Sequence, residues 1–319
     1  MHRMIVDGFN LAYRSHYAHV DWVTKSGLPS GCFYGFLSSL QSLKNRFPRY
    51  HVTVVWDTNA TRKKAIFAEY KANRQAFSID QPIADLKMAL SCVEIWQAEF
   101  PGEEADDVIA TMAAQFNAQN DDVCIYGRDK DMLQLVEDGK VVVLWPRVGK
   151  SSEIMFDEAR VKAEFGVSPK NIPCLLCLRG DTSDNIPGVP RVPTTILAGL
   201  AEKYGTPEKA HDGLSQETLT MFQLNAIMAH KKQASLNWQL IKLVDSLEPV
   251  ITKGISNANK LIEIMLKYEV KSISADKFVD RFGNETQFLE RRTTPAVICS
   301  LFDEEKSSDG TIIPSSEVR

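Results

Sequence analysis

Long apolar runs, a cysteine framework, converging histidines and a surplus of positive charge are all missing from this 319-residue chain. No window approaches the roughly 20 consecutive apolar residues of a membrane-spanning helix, so a helical membrane protein is excluded and no membrane partner is expected. The N-terminus reaches Asp7 after only Met4-Ile5-Val6, too short an apolar run for a secretory signal. The six cysteines (32, 92, 124, 174, 177 and 299) have no disulfide-framework spacing, and a chain this long buries roughly 75% of its unfolded surface without cross-links. Cys174-Leu175-Leu176-Cys177 is a CxxC without the second pair or histidines that complete a zinc site, which favours two buried thiols in an apolar helix. A reducing cytoplasm is the expected compartment. The six histidines (2, 16, 19, 51, 211 and 230) converge on no serine or cysteine, which argues against a nucleophilic triad. Lys and Arg total 37 against 41 Asp and Glu, a net charge of −4. Taken as a sum, that disfavours nucleic acid, because phosphate binding draws on positive charge.

What is present is a globular composition, 44% hydrophobic and 24% charged, and a repeated design. Met4-Ile5-Val6 runs into Asp7, Val52-Thr53-Val54-Val55-Trp56 into Asp57, and Val123-Cys124-Ile125-Tyr126 through Gly127-Arg128 into Asp129-Lys130-Asp131. Continuous β-branched runs predict strands buried on both faces, as in a parallel sheet. Helical stretches at Phe33 to Phe47 and Ala105 to Asn117 lie between them, so the class is α/β. Ligands of such sheets bind beyond the carboxyl ends of the strands, where these aspartates stand. One such aspartate is usually a helix N-cap; three invite another reading. Two further acidic clusters add to them. Glu103-Glu104-Ala105-Asp106-Asp107 opens a helix after Pro101-Gly102, and Asp181 and Asp184 lie three apart in a Gly/Pro-punctuated loop. If they converge, Asp7, Asp57, Glu104, Asp106, Asp107, Asp129, Asp131, Asp181 and Asp184 place nine carboxylates in one cleft. Like charges so close call for hard divalent cations, two Mg²⁺ with Mn²⁺ able to substitute, an arrangement suited to phosphodiester displacement.

The stretch from Arg62 to Arg74 carries five basic residues (Arg62, Lys63, Lys64, Lys71 and Arg74) and one acid, with Tyr70 beside Lys71. Cations with an aromatic suit a phosphate backbone and a base that stacks.

These blocks together resemble the 5′-nucleases, the flap endonucleases and the 5′–3′ exonuclease domain of DNA polymerase I. The matching residues are Val6-Asp7-Gly8 with Tyr13-Arg14, Gly27-Leu28-Pro29-Ser30-Gly31-Cys32-Phe33-Tyr34-Gly35, Trp56-Asp57 and Tyr70-Lys71-Ala72-Asn73-Arg74. Glu104-Ala105-Asp106-Asp107, Asp129-Lys130-Asp131 and Gly180-Asp181-Thr182-Ser183-Asp184-Asn185-Ile186-Pro187-Gly188-Val189 follow in family order. The resemblance implies a PIN-like, mostly parallel sheet flanked by helices, with a helical arch over about 75–100. It implies a nuclease domain over 1–174, a helical domain of helix-hairpin-helix type over 175–290 that contributes Asp181 and Asp184, and a polar tail over 291–319. It also implies a stand-alone Mg²⁺-dependent nuclease acting by a two-metal mechanism on DNA with a 5′ end or flap, with an RNA–DNA primer hybrid as a further substrate. Lys71 and Arg74 match the residues that hold the scissile phosphate; Arg14, Arg62, Lys63 and Tyr70 would contact DNA. A polymerase or single-strand-binding protein would be a natural partner.

One segment departs from the pattern. Pro190-Arg191-Val192-Pro193-Thr194-Thr195-Ile196-Leu197 stands where the family has a glycine-rich hairpin whose amides hold duplex phosphates. Arg191 and Pro193 replace its glycines, so Arg191 is the candidate for a substitute side-chain contact. Two other readings fit less well. Haloacid-dehalogenase-type phosphatases need Asp-x-Asp where this chain has Asp7-Gly8-Phe9, and a scaffold that had lost catalysis would be expected to lack carboxylates. The charge also resolves. The tail from Asp303 to Arg319 has five acids and two bases, leaving the body at −1; setting aside the nine clustered carboxylates makes the rest +8. An acidic pocket in a basic surface suits a metal-dependent nuclease.

Overall fold

The computed structural model describes residues 1–73, 79–147 and 153–283. Seven strands form one sheet: β1 (His2–Asp7), β2 (Tyr50–Val55), β3 (Trp96–Glu99), β4 (Asp122–Tyr126), β5 (Val141–Pro146), β6 (Glu153–Phe156) and β7 (Val250–Lys253), in the order β6-β5-β4-β1-β2-β3-β7. The five inner strands run parallel, and β6 and β7 close the two edges antiparallel. The continuous apolar runs are explained by burial on both sides. In β1, Met4 and Val6 enter one core while Ile5 enters the other; in β4, Cys124 and Tyr126 oppose Val123 and Ile125.

One layer holds α1 (Gly8–Ala18) and α2 (Ser30–Arg46), followed after α3 (Thr61–Ile66) by α4 (Asp80–Leu90). The opposite layer holds α5 (Ala105–Ala118), with α6 (Glu158–Phe165), α7 (Ile172–Arg179), α8 (Thr194–Tyr204), α9 (Pro207–Asp212), α10 (Met221–Ala229) and α11 (Lys231–Ile241). The chain then returns through β7 to the first layer, where α12 (Ala258–Lys267) packs on α4 and α13 (Ala275–Gly283) on α2. No helix among the described residues is long and apolar enough to cross a membrane.

Two expectations about domain layout are corrected. A boundary at 174/175 falls inside α7, and residues 250–283 are not part of a separate helical unit: β7 pairs with β3, and Asp85 of α4 accepts hydrogen bonds from Lys267 and Tyr268, each at 2.6 Å. The arch expected over 75–100 does not include α4, whose Ile83, Leu86, Ala89 and Leu90 are core residues, or β3, which is part of the sheet. Residues 74–78 and the tail at 291–319 lie outside the described residues.

Because β1 is flanked by β2 on one side and β4 on the other, the chain reverses its direction of winding there, the switch point beyond whose carboxyl ends ligands of such sheets bind. Gly8 keeps that edge compact: a Cβ there would lie 2.6 Å from the Trp56 ring. Gly180 and Gly188 do the same for the second acidic loop, since a Cβ on Gly188 would sit 1.9 Å from the Arg179 carbonyl oxygen.

Candidate metal centre at the carboxyl edge of the sheet

Each strand-ending aspartate does the bland job and leaves capacity for another. Asp7 accepts from the Asn10 amide at 2.9 Å and caps α1; Asp57 accepts from the Ala105 amide at 2.8 Å and caps α5. Asp129 accepts from the Asp131 amide and Asp181 from the Ser183 amide, each at 2.9 Å, opening the short 3-10 turns Lys130–Leu135 and Thr182–Asp184. Each cap uses one oxygen of its carboxylate.

Burial raises the pKa of Asp7, Asp57 and Asp129, whereas at Asp181 burial is outweighed by the Ser183 and Lys130 donors, which lower it. Asp7 is pushed up to about 8, first by burial and then by Asp57 and Asp129, against the Asn10 amide and Lys71. Asp57, Asp106, Asp129 and Asp131 are also raised, chiefly by burial. Glu104 adds to this at Asp57, Asp129 at Asp106 and Asp131, and Asp184 at Asp129 and Asp131. Asp7, Asp57, Glu104, Asp106, Asp129, Asp131, Asp181 and Asp184 therefore act on one another electrostatically. They are not drawn into a ready-made ion cage: among the described residues no three acidic, histidine or cysteine side chains form such a group.

Asp107 departs from the expectation. It is fully buried, its Oδ1 accepts from the Val244 amide at 2.9 Å, and its Oδ2 is paired with Arg62 at 3.0 Å and Lys63 at 3.3 Å. Both oxygens are occupied by donors that tie α5 to α3 and to the chain after α11, which gives this carboxylate a structural task. The basic residues are corrected in the same way. Lys63 is only 1% exposed and reaches Glu104 at 3.0 Å, and Arg62, 30% exposed, also pairs with Glu103 at 2.6 Å, so both cations are engaged with acids. Tyr70 is no stacking platform. Its ring is buried and its hydroxyl donates to Glu104 Oε2 at 2.8 Å and Asp184 Oδ2 at 3.2 Å. Arg14 binds the Tyr126 hydroxyl at 2.5 Å and lies over that ring, at the end of β4.

Lys71 is where the nuclease reading needs a cation: its Nζ lies 2.5 Å from Glu104 Oε1 and 3.8 Å from Asp184 Oδ2. Burial alone would raise Glu104, but Lys63 and Lys71 outweigh it and bring its pKa to about 2. Arg74 lies outside the described residues. Arg191 is exposed with φ of +59°, a backbone conformation that suits the glycine it replaces, and Pro193 caps α8. Sequence reasoning passed over Lys130, whose Nζ is 2.9 Å from Asp181 Oδ1; its place between Asp129 and Asp131 was the available signal.

A divalent ion fits this residue set. Asp131 Oδ1 is buried and has no hydrogen-bond partner, and Asp7, Asp57, Asp106, Asp129 and Asp131 make no ion pair with any described residue. Buried carboxylates without partners are costly unless they are protonated or cation-bound. A sign follows for stability in metal-free buffer. The protonation of Asp7 contributes stability that is fully present below its unfolded value of 3.8 and lost as pH rises to about 8. Glu104 has the opposite sign, its contribution present above 4.5 and lost as pH falls towards about 2. Urea midpoints measured in EDTA should therefore fall between about pH 5 and 8. A midpoint that rises across that range would contradict the placement of these groups.

Comparison with known proteins agrees with this architecture. Residues 2–166 match the family model described as the N-terminal, resolvase-like domain of 5′-3′ exonucleases. A 5′-3′ exonuclease of Aquifex aeolicus is 34% identical over 84% of this chain and 92% of its own length. A DNA polymerase I of Caldicellulosiruptor bescii is 30% identical over 92% of this chain, which spans only 35% of that larger protein. A bacteriophage T5 D15 flap endonuclease, solved in complex with DNA and metal ions, shares the fold with a TM-score of 0.59 at 18% identity, covering 91% of this chain and all of that one. The acidic edge of the sheet, the order of the strands and these likenesses place the chain in the 5′–3′ exonuclease family.

Proposed function

We propose that this protein is a divalent-ion-dependent nuclease that hydrolyses DNA phosphodiester bonds at 5′ ends or 5′ flaps during replication and repair. The observation that carries this reading is a set of five carboxylates without ion-pair partners among the described residues, three buried (Asp7, Asp106, Asp131) and two half-buried (Asp57, Asp129), at the carboxyl edge of β1, β2 and β4 and the start of α5. Asp7, Asp57, Asp106, Asp129 and Asp131 would hold the ions, with Glu104, Asp181 and Asp184 next to them. Bound there, Mg²⁺ or Mn²⁺ would supply Lewis acidity towards a phosphodiester and make an attacking water more acidic.

The chain's own groups do the rest. Lys71 presents positive charge to the non-bridging oxygens, on which negative charge accumulates during displacement, and Arg74, three residues on in the sequence, would add to it. Glu104 stays ionised through Lys63 and Lys71. Tyr70 holds Glu104 and Asp184 together through one shared hydroxyl. The purified protein should be offered 5′-flap, 3′-flap, nicked, blunt and RNA-primed duplexes with Mg²⁺. Preferential cutting of the substrates with a 5′ end or flap supports the reading, and preference for 3′ flaps would contradict it.

Arg191 is the proposed duplex contact. Arg191→Gly removes one charge and relaxes a left-handed backbone position, so stability should rise by about 1 kcal/mol. Duplex affinity should fall, and the salt slope should drop by about 1. An unchanged salt slope by fluorescence anisotropy would remove Arg191 from the interface.

A further inference from the structure

The acidic side chains of the site divide by whether a cation touches them. Asp7, Asp57, Asp106, Asp129 and Asp131 have no ion pair among the described residues, and the buried Asp131 Oδ1 lacks even a hydrogen-bond donor. Glu104 and Asp184 face Lys71, at 2.5 and 3.8 Å, and Asp181 faces Lys130 at 2.9 Å. The lysines themselves differ. Lys63 is 1% exposed and enclosed with its partners, whereas the side chains of Lys71 and Lys130 are 17% and 18% exposed and so in part open to solvent. The Lys71 backbone is fixed, since its amide donates to the Asp184 carbonyl oxygen at 3.0 Å; only its side chain is placed to swing.

We infer that Lys71 and Lys130 are resident counter-cations. They neutralise Glu104, Asp184 and Asp181 in the absence of substrate, so that one cation position stands open at the unpaired aspartates and a second stays closed until the two lysines are drawn away. The physical reason is competition. An ammonium within hydrogen-bond distance of a carboxylate supplies the charge a second divalent ion would bring, and the two cannot share the same oxygens without repulsion. The phosphates of a bound strand are the natural agents of displacement, because they offer both lysines a new anionic partner. Binding of the strand and completion of the second cation position would then be one coupled event. This inference rests on the divalent-ion reading of the site.

The test is Mn²⁺ binding to the full-length, metal-free protein without DNA, followed by electron paramagnetic resonance. Wild type should bind one ion per chain, with a second at least about tenfold weaker. In Lys71→Met/Lys130→Met the second ion should tighten by about tenfold, while Lys71→Arg/Lys130→Arg, which keeps the charge, should behave as wild type. A merely structural role has the opposite sign: loss of support would weaken both ions in the methionine variant. That result, or a second affinity unchanged by methionine, overturns the inference. Each single methionine variant is measured as well, so that misfolding of the double variant does not decide the outcome. The underlying reading is checked separately. If wild type binds Mn²⁺ and Asp129→Asn/Asp131→Asn loses it, the site stands whatever the lysine variants do; if wild type binds none, the site and the counter-cations fall together.

Discussion

Asp129→Asn/Asp131→Asn should abolish divalent-ion-dependent DNA cleavage, lowering the rate by more than about 10³-fold, while raising the melting temperature in EDTA by several degrees. Both effects come from the same feature. Asp131 is buried and Asp129 half-buried, and both are raised above their usual range, first by burial, then Asp129 by Asp184 and Asp131 by Asp129 and Asp184. Without a cation their charge is a cost to the folded state, so an uncharged amide of nearly the same shape relieves it. With a cation the same oxygens are the ligands, and an amide is a far poorer one. DNA binding should survive, because neither residue pairs with the basic surface. Single-turnover cleavage, calorimetric melting and anisotropy on one preparation check the three parts. Persistent cleavage by the double variant would remove the assignment of these residues, and a lower melting temperature in EDTA would mean that their charge is compensated in the fold.

Asp107→Ala should do the reverse, destabilising the protein by about 3–5 kcal/mol. It sits one residue from Asp106 in the first turn of α5, yet it lies in a different environment. Its removal leaves the buried Lys63 with one partner fewer, takes an acceptor from Arg62, and orphans the Val244 amide. A buried cation that loses one of its two carboxylate partners is left under-compensated, which costs more than the pair was worth. Urea unfolding measures the loss, and a change under about 1 kcal/mol would show that Asp107 is not the structural anchor described. Opposite effects on stability from Asp129/Asp131 and Asp107 would be difficult to explain by a uniform acidic cluster.

The parallel sheet was legible because its strands announce themselves twice, as unbroken apolar runs and as aspartates at their ends. β1, β2 and β4 fall where Met4-Ile5-Val6, Val52 to Trp56 and Val123 to Tyr126 predict them. The return of residues 250–283 to the first layer was not legible. β7 is only four residues long and exposed, and its partner β3 is equally short, so neither carries a periodic signal. The carboxylates were found by spacing along the chain, which cannot tell an oxygen left without a donor from one facing an amide. Asp107 and Asp106 are neighbours in sequence and parted by the turn of a helix. The basic run from Arg62 to Lys71 likewise reads as one patch, but α3 carries Lys63 inward to Glu104 and leaves Lys64 exposed, a division that only packing decides.

The most direct test of the account uses a 5′-flap duplex labelled at the flap end, incubated with the wild-type protein in Mg²⁺ and, in parallel, in EDTA. The expected result is release of a labelled strand ending in a 3′-hydroxyl, with a 5′-phosphate left on the duplex, in Mg²⁺ and not in EDTA. Label that stays on the duplex in Mg²⁺, or that is released equally in EDTA, would contradict the claim that the carboxyl edge of this sheet is a metal-dependent nuclease site.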